Sequence, residues 1–191
     1  MKFLEDIIRE QGKVLPGDIL KVDCFLNHQV DVKIMDEIGK EFSRLFKDTN
    51  PDKILTIETS GVAIAQATSL NMNKQPVVYA KKDVHLNMGG ENYSCKERSY
   101  TKDMDYEVKV SKDYIGKGDK ILIIDDFLAN GEALNALVSI CNQAGAQIVG
   151  IGIVIAKMYQ PGYQRILKMY DKIEILAKVK SMSDDGQIEF E

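Results

Sequence analysis

The stretch 120–133 is the part of this chain that most constrains its fold. The run Ile121–Ile124 is continuously apolar and rich in β-branched side chains, and Asp125, Asp126 and an Asn-Gly turn follow it. An apolar run without polar alternation is typical of a strand that is buried on both faces of a parallel sheet. Ligands of such sheets bind at the carboxyl ends of the strands, and anions bind where a helix begins. The stretch therefore predicts an α/β fold with a ligand site directly after this strand.

Apolar patterns elsewhere in the chain alternate between strands and helices. This order predicts right-handed crossovers and a central, mostly parallel sheet flanked by helices. We expect a single domain, 1–191, with a core at about 36–157 and a small hood formed by 1–35 and 158–191. Buried strands are predicted at 54–57, 77–80 and 147–156, and helices at 3–11, 33–46 (with Asp31 as N-cap), 62–67, 163–169 and from 132 to a Gly145 cap.

Two segments have no clear pattern. Residues 19–29 alternate roughly, which favours an edge strand, although the segment could instead fold over a ligand. From 83 to about 106 the hydrophobic signal fades, and a weakly patterned stretch of this length is usually a lid or a disordered insert. We expect a lid. Residues 106–110 alternate again and predict an antiparallel strand, and 173–179 with 188–190 predict a hairpin.

Composition and charge exclude several classes of function. The chain has 191 residues and a net charge of −4, so it lacks the basic surface that nucleic-acid binding requires. No run approaches the ~20 apolar residues of a membrane span. An odd number of cysteines, without metal-like spacing or a signal peptide, indicates a reducing compartment. We therefore expect a cytoplasmic protein that binds neither nucleic acid nor membranes. The cysteines are Cys24, Cys95 and Cys141.

The stretch 120–133 resembles the phosphoribosyl pyrophosphate (PRPP) motif of type I phosphoribosyltransferases, in which four apolar residues precede two acidic ones and a phosphate loop. The resemblance extends over the whole chain and is strongest in 20–29, 58–63, 121–133 and 150–157. Segment 20–29 and the loop after the acidic pair are similar to the xanthine-type members. The resemblance implies the type I fold, a homodimer, and transfer of the phosphoribosyl group from PRPP to N9 of xanthine in purine salvage, with Mg²⁺ as the cofactor.

Asp125 and Asp126 stand where the central strand should end. Adjacent residues of a strand point to opposite faces, so at most one carboxylate faces a given ligand unless the backbone has already left the strand. Carboxylates accept hydrogen bonds from ribose hydroxyls and coordinate Mg²⁺. The alternative is that one Asp merely caps the next element. The phosphate-type turn and the resemblance favour catalytic roles for both residues, and either one could hold the metal ion.

The resemblance implies that two loops hold the phosphates of PRPP. The loop 129–133 would bind the 5′-phosphate through backbone N–H groups and the helix dipole, since it lacks the hydroxyls that most of the family carries there. Ala129 occupies the position of an Asp that hypoxanthine-type relatives use in proton transfer, which favours a more acidic base such as xanthine. The loop after strand 54–57 would bind pyrophosphate, or would only begin a helix. The residues concerned are Ala129, Asn130, Gly131, Glu132, Ala133, Thr59, Ser60 and Gly61.

Lysines end two of the predicted strands. Lys81, or its neighbour Lys82, would neutralise the leaving pyrophosphate, although two adjacent lysines are more often a solvated pair. The position of the pair at the ligand-binding edge of the sheet favours the functional role. The resemblance implies that Lys157 hydrogen-bonds the 6-oxo oxygen of a purine, which suits a side chain that can only donate.

Three further residues are candidates for contacts with the base. The resemblance implies that Leu20 and Asn27 of the hood contact xanthine, and the amide of Asn27 can both donate and accept. Phe127 follows the acidic pair and would either stack on the base or belong to the core. His28 has no carboxylate partner recognisable in the sequence and receives no role.

Two other functions are compatible with the same motif. One is a phosphoribosyltransferase for another base, such as guanine, hypoxanthine, adenine or orotate, and the donor-only side chain of Lys157 disfavours adenine. The other is a regulatory protein that keeps the fold as a PRPP sensor. Such regulators carry an added DNA-binding domain, for which this chain has neither the residues nor the basic charge.

Overall fold

The computed structural model describes residues 1–82, 90–99, 104–183 and 185–191. The α-helices in this part of the chain are α1 (Lys2–Gln11), α2 (Val32–Leu45), α3 (Ser60–Asn71), α4 (Glu132–Ala144) and α5 (Pro161–Ile166). The strands are β1 (Lys13–Leu15), β2 (Ile19–Lys21), β3 (Lys53–Ile57), β4 (Val77–Lys82), β5 (Asn92–Ser99), β6 (Met104–Ser111), β7 (Lys120–Leu128), β8 (Gln147–Lys157), β9 (Ile173–Met182) and β10 (Ile188–Phe190).

Eight of these strands form one sheet in the order β10-β9-β8-β7-β3-β4-β6-β5. The central strands from β9 to β4 run parallel, whereas β10, β6 and β5 are antiparallel additions at the edges. The predicted mostly parallel sheet is confirmed. The winding reverses between β7 and β3, because β3 leads to β4 on one side and β7 leads to β8 on the other. A reversal of this kind opens a crevice at the carboxyl ends of the two strands.

The central strand β7 is buried on both faces, as its apolar run predicts. Leu122 and Ile124 pack in the same cluster as Phe42 of α2, whereas Ile121 and Ile123 pack with Leu137 of α4. The side chains of 121–124 are all inaccessible to solvent. Helices therefore cover both faces of the sheet.

Glycines allow α2 to lie close on the sheet. A Cβ added at Gly150 would lie 2.7 Å from the ring of Phe46, and one at Gly152 would lie 2.8 Å from the ring of Phe42. Both rings are fully buried. The two glycines of β8 therefore leave the space that these aromatic side chains fill.

Two predicted helix caps are confirmed. Asp31 accepts hydrogen bonds from the backbone N–H groups of Lys33 (2.9 Å) and Ile34 (3.3 Å) at the start of α2. Gly145 ends α4 in the left-handed region, with φ of +67°. At its other end α4 begins after Gly131. Its φ of +90° is a backbone conformation that residues other than glycine rarely adopt.

The N-terminal segment differs from the edge strand predicted over 19–29. Only Ile19–Lys21 is a strand, and a π-helical turn follows over Asp23–Asn27. The reason is the spacing of the apolar residues, because Val22, Phe25 and Leu26 all point into the core. Positions i, i+3 and i+4 share a face in a helical turn and not in a strand.

The segment from 83 to about 106 is only partly as predicted. Residues 83–89 and 100–103 lie outside the described part of the chain, so the predicted lid is not tested there. Residues 92–99 form β5, which pairs antiparallel with β6, so the expectation of weak structure is wrong at these positions. An edge strand is held by backbone hydrogen bonds and needs no apolar run. The antiparallel strand predicted at 106–110 is confirmed within β6.

The first and last segments of the chain are in contact. Leu4, Ile7 and Ile8 of α1 are buried. The guanidinium of Arg9 lies 4.6 Å from the ring centroid of Phe190, and the Met1 amino group donates to the carbonyl of Leu176. The division into core and hood stays a prediction. None of the described helices is both long enough and apolar enough to cross a membrane.

Candidate active site

The carboxyl edge of the sheet carries the residues that the sequence analysis selected. The loop 58–61 follows β3, the lysine pair ends β4, the acidic pair and the loop 129–131 lie at the end of β7, and Lys157 ends β8. These strands are hydrogen-bonded neighbours, so their ends meet at one edge. The hood reaches the same place through Asn27. A ligand in this crevice would therefore contact segments from most of the chain's length.

Asp125 lies inside the protein and not at its surface. Its residue is 2% exposed, and its carboxylate accepts a hydrogen bond of 3.0 Å from the backbone N–H of Asp126. Burial raises the pKa of this carboxyl group well above its ordinary value, and the charge of Asp126 raises it further, whereas Lys82 lowers it. The side chain faces the start of α3, since a Cβ added at Gly61 would lie 3.3 Å from its Oδ1. Asp125 therefore faces the turn that begins α3.

Asp126 is more accessible and faces the hood. Its Oδ2 lies 3.3 Å from the side-chain amide nitrogen of Asn27, which donates, and its Oδ1 accepts a bond of 2.9 Å from the N–H of Phe127. β7 continues to Leu128, so the prediction that the strand ends at the acidic pair is wrong. Because both residues lie in the strand, their carboxylates have different surroundings, as strand geometry requires.

The two lysines at the end of β4 have different neighbours. Lys82 contributes the positive charge that lowers the pKa of Asp125, and its ammonium lies 5.7 Å from the ring centroid of Tyr106. Its backbone N–H donates to Glu58 Oε1 at 2.8 Å, which ties the strand end to the loop after β3. Lys81 pairs in register with Lys109 of β6. Of the two lysines, Lys82 is therefore the one whose charge acts on Asp125.

Helix α5 donates hydrogen bonds to the loop 129–131, which precedes α4. The carbonyl of Ala129 accepts a hydrogen bond of 3.2 Å from Gly162 N–H, and the carbonyl of Asn130 accepts one from Arg165. A Cβ added at Gly162 would lie 2.9 Å from the oxygen of Asn130. With both carbonyls turned towards α5, the loop is held in one conformation at the start of α4, where free N–H groups bind anions.

Lys157 is buried at the end of β8. Its side chain is 8% exposed, and its ammonium donates to the backbone carbonyl of Asp18 and lies 3.4 Å from the carboxylate of the same residue.

Two of the residues predicted to contact the base differ in burial. Leu20 is 7% exposed, and Phe127 is partly buried against the core. Both interpretations of Phe127 therefore stay open.

Comparison with known proteins identifies the family. Residues 25–184 match the family model described as "Phosphoribosyl transferase domain". The chain is a member of the phosphoribosyltransferase family. Similar relatives include xanthine phosphoribosyltransferases of Pediococcus pentosaceus, 50% identical over all of both chains, and of Clostridium tetani, 49% identical over 97% of both. A third, from Laribacter hongkongensis, is 48% identical over all of both chains.

Solved structures of phosphoribosyltransferases have the same fold. The adenine phosphoribosyltransferase of Thermoanaerobacter pseudethanolicus superimposes with a TM-score of 0.74 over 92% of this chain and 99% of that one, at 18% identity. The enzyme of Trypanosoma brucei gives 0.74 over 96% of this chain and 83% of that one, at 19% identity. At such low identity the likeness establishes the type I phosphoribosyltransferase fold alone.

In the part of the chain that the structure describes, no three His, Cys, Asp or Glu side chains are grouped to hold a metal ion. Mg²⁺ takes oxygen ligands and usually keeps several waters or substrate phosphates. A donor set of one or two carboxylates, from Asp125 and Asp126, fits an ion that arrives with its substrate.

Sequence reasoning missed several polar residues of this phosphoribosyltransferase site. Asp18 contacts Lys157 and accepts hydrogen bonds from Tyr159 and Gln160, and Arg165 supports the loop before α4. The signals in the sequence were weak: Asp18 follows Pro-Gly in a turn, and Arg165 lies in a short helical pattern. Their contacts connect positions far apart in the chain, which local patterns do not reveal.

Proposed function

We propose that this phosphoribosyltransferase joins N9 of xanthine to C1′ of PRPP, giving xanthosine 5′-monophosphate and pyrophosphate in purine salvage. The observation that carries the proposal is the contact between Asn27 and Asp126, at 3.3 Å, because it joins the hood to the phosphoribosyl motif. The relatives that are about half identical over their full length and named xanthine phosphoribosyltransferase support the choice of base.

The phosphoribosyl group is held by the acidic pair and two loops. Asp126, the more accessible carboxylate, accepts hydrogen bonds from the ribose hydroxyls, and Asp125 supports it from inside the protein. The N–H groups of the loop 129–133 bind the 5′-phosphate at the positive end of the α4 dipole. Thr59, Ser60 and Gly61 bind pyrophosphate at the start of α3. No side-chain hydroxyl is required in the loop 129–133, since backbone groups alone can hold an anion.

The base is recognised by the hood and by Lys157. Lys157 donates a hydrogen bond to the 6-oxo oxygen of xanthine. The amide of Asn27 forms hydrogen bonds with the neighbouring donor and acceptor groups of the ring. Leu20 and Phe127 provide apolar contact with the faces of the purine. A donor-only side chain at this position favours oxopurines over adenine, whose exocyclic amine cannot accept a hydrogen bond from Lys157.

The reaction proceeds mainly through positioning and charge stabilisation. C1′ becomes cationic as the pyrophosphate leaves, and the residues of the crevice hold the two reactants in line. Lys81, or Lys82 beside it, stabilises the negative charge that develops on the leaving group. Mg²⁺ bound with PRPP supplies further charge neutralisation, and Asp125 or Asp126 would hold it. Because Ala129 cannot act as a general base, the purine itself must lose its N9 proton readily, as xanthine does.

Two further properties belong to the proposal. The enzyme is a cytoplasmic homodimer, for which light scattering at micromolar concentration should give about twice the chain mass. The chain is a single domain, which should unfold in one cooperative transition.

A panel of bases tests the proposal directly. Consumption of PRPP with Mg²⁺ is measured with xanthine, guanine, hypoxanthine and adenine, and we expect the highest kcat/KM with xanthine. The variant Asp125→Asn with Asp126→Asn should lose nearly all activity. Unchanged activity in that variant would remove the phosphoribosyl-binding role of the pair, and a preference for adenine would contradict the role of Lys157.

A further inference from the structure

Asp18 connects the hood to the end of β8 through four polar contacts. It lies in the turn between β1 and β2. Its carboxylate accepts hydrogen bonds from the hydroxyl of Tyr159 and from the amide of Gln160 (2.6 Å), and it lies 3.4 Å from the ammonium of Lys157. Its backbone carbonyl also accepts from Lys157. Three side chains at the end of β8 and just beyond it therefore point at one residue near the start of the chain.

We propose that Asp18 is a positioning residue for base recognition, which holds the ammonium of Lys157 in the orientation that meets the purine oxygen. The inference rests on the proposed function, in which Lys157 contacts the 6-oxo group. Asp18 itself does not touch the base in this scheme. It acts by fixing Lys157 and by anchoring the hood hairpin beside the crevice.

The ammonium of Lys157 needs a partner because it is buried. An ammonium group removed from water is costly unless it is paired and hydrogen-bonded. It has three donor protons, and Asp18 can accept two of them through its carbonyl and carboxylate oxygens. One donor is then left for a ligand. Asp18 is the one acidic partner of Lys157 within the described residues.

The carboxylate of Asp18 is kept ionised by its neighbours. Burial by itself would raise its pKa, but the hydrogen bonds from Tyr159 and Gln160 and the charge of Lys157 lower it below its ordinary value. The negative charge is therefore present at every pH at which such an enzyme works, and it balances the positive charge of Lys157 before the base arrives.

The backbone of Asp18 offers an alternative explanation that variants can separate. Its φ is +63°, in the left-handed region where Asp, Asn and Gly are favoured. Asp18 could thus be present only to make the turn. Asp18→Gly keeps the turn and removes the carboxylate, and Asp18→Asn keeps the turn and an acceptor oxygen but removes the charge.

Steady-state kinetics with xanthine and PRPP distinguish the two explanations. We expect Asp18→Gly to raise the KM for xanthine about tenfold or more, as for loss of a hydrogen bond to a charged group, and to change the KM for PRPP less than twofold. Asp18→Asn should recover part of the loss. The matched control is Asp185→Gly, in the hairpin between β9 and β10, whose carboxylate accepts from Ser183 and Gln187 away from the crevice. It should change neither KM.

A double-mutant cycle tests whether Asp18 acts through Lys157. If it does, Asp18→Gly should add little to the xanthine KM of Lys157→Met, because the group that it positions is already gone. Additive effects, or an unchanged xanthine KM in Asp18→Gly, would overturn the inference while leaving the proposed function intact. Wild-type protein that does not use xanthine would instead overturn the proposed function, and the same cycle would then be run with the base that it does use.

Discussion

At the scale of single residues, Asp125 is a buried carboxyl group, and burying a carboxyl group costs more free energy than burying an apolar side chain. It lies in the sheet between two helical layers and is almost inaccessible. We expect Asp125→Asn to raise the free energy of unfolding at pH 7, because the amide carries no ionisation penalty in this buried position. The same variant should lose most of its activity. Urea denaturation and a PRPP assay measure the two effects.

The sign of this prediction follows from the raised pKa of Asp125. A carboxyl group whose pKa is higher in the folded state destabilises the protein as pH rises above its unfolded pKa, about 3.9. The stabilisation by Asp125→Asn should therefore grow between pH 4 and pH 7. A constant difference across that range would show that Asp125 does not carry the expected ionisation penalty.

The cysteines should react in an order set by burial. Burial raises the pKa of the Cys141 thiol to about 12, whereas Cys24 is exposed. Because the thiolate is the reactive form, iodoacetamide at pH 8 should modify Cys24 in the folded protein and leave Cys141 unmodified. Mass spectrometry of peptides, with urea-unfolded protein as the control, measures this. Labelling of Cys141 at the rate of Cys24 would contradict its place in the core.

Sequence reasoning was most successful for residues whose role depends on their neighbours in the chain. The acidic pair and Lys157 follow apolar runs that had to be strands, and parallel strands end at one edge, so the position of these residues could be predicted. Asp18 could not be found in this way. Its partners are 139 to 142 residues away, and nothing in a Pro-Gly-Asp turn indicates which distant side chain it meets.

At the scale of elements, the loop before α4 depends on the short helix α5. Arg165 donates to the carbonyl of Asn130, and it is exposed to solvent on its other side. We expect Arg165→Gln to raise the KM for PRPP about three- to tenfold, because a charge-assisted hydrogen bond at a partly solvated site is lost. The KM for xanthine should change little. Steady-state kinetics with each substrate varied in turn measure both constants.

A second arginine provides the control for this element. Arg44 of α2 pairs with Glu41 on the surface and contacts no residue of the crevice that the structure describes. Arg44→Gln should leave both KM values unchanged. Equal KM values for PRPP in wild type and Arg165→Gln would mean that α4 and its own loop hold the phosphate without support from α5.

The elements themselves were predictable where their apolar period was clear. Helix α2 has an unbroken pattern and was placed within one residue at each end, whereas β7 was recognised but continues to Leu128, past its apolar run. The turn at Asp23–Asn27 was missed because five residues are too few to separate alternation from helical spacing. Only the packing of Phe25 and Leu26 into the core decides between them.

At the scale of the whole molecule, α1 joins the two ends of the chain. Ile8 is completely buried, whereas Phe3 of the same helix is 45% exposed. We expect Ile8→Ala to lower the free energy of unfolding by about 2–4 kcal/mol, as for other large-to-small changes in a core. Phe3→Ala should cost less than about 1 kcal/mol. Urea denaturation of both variants measures the difference, and equal costs would mean that α1 is only loosely attached.

The packing of Phe42 and Phe46 onto the glycines of β8 has a consequence for the order of synthesis. The two rings are made about a hundred residues before Gly150 and Gly152, and translation adds roughly 5–20 residues per second. For several seconds, therefore, a ribosome-bound chain displays α2 without the strand that covers it. A nascent chain at this stage presents the kind of apolar surface that chaperones recognise, and the aromatic side chains become protected only when the last quarter of the protein begins to emerge.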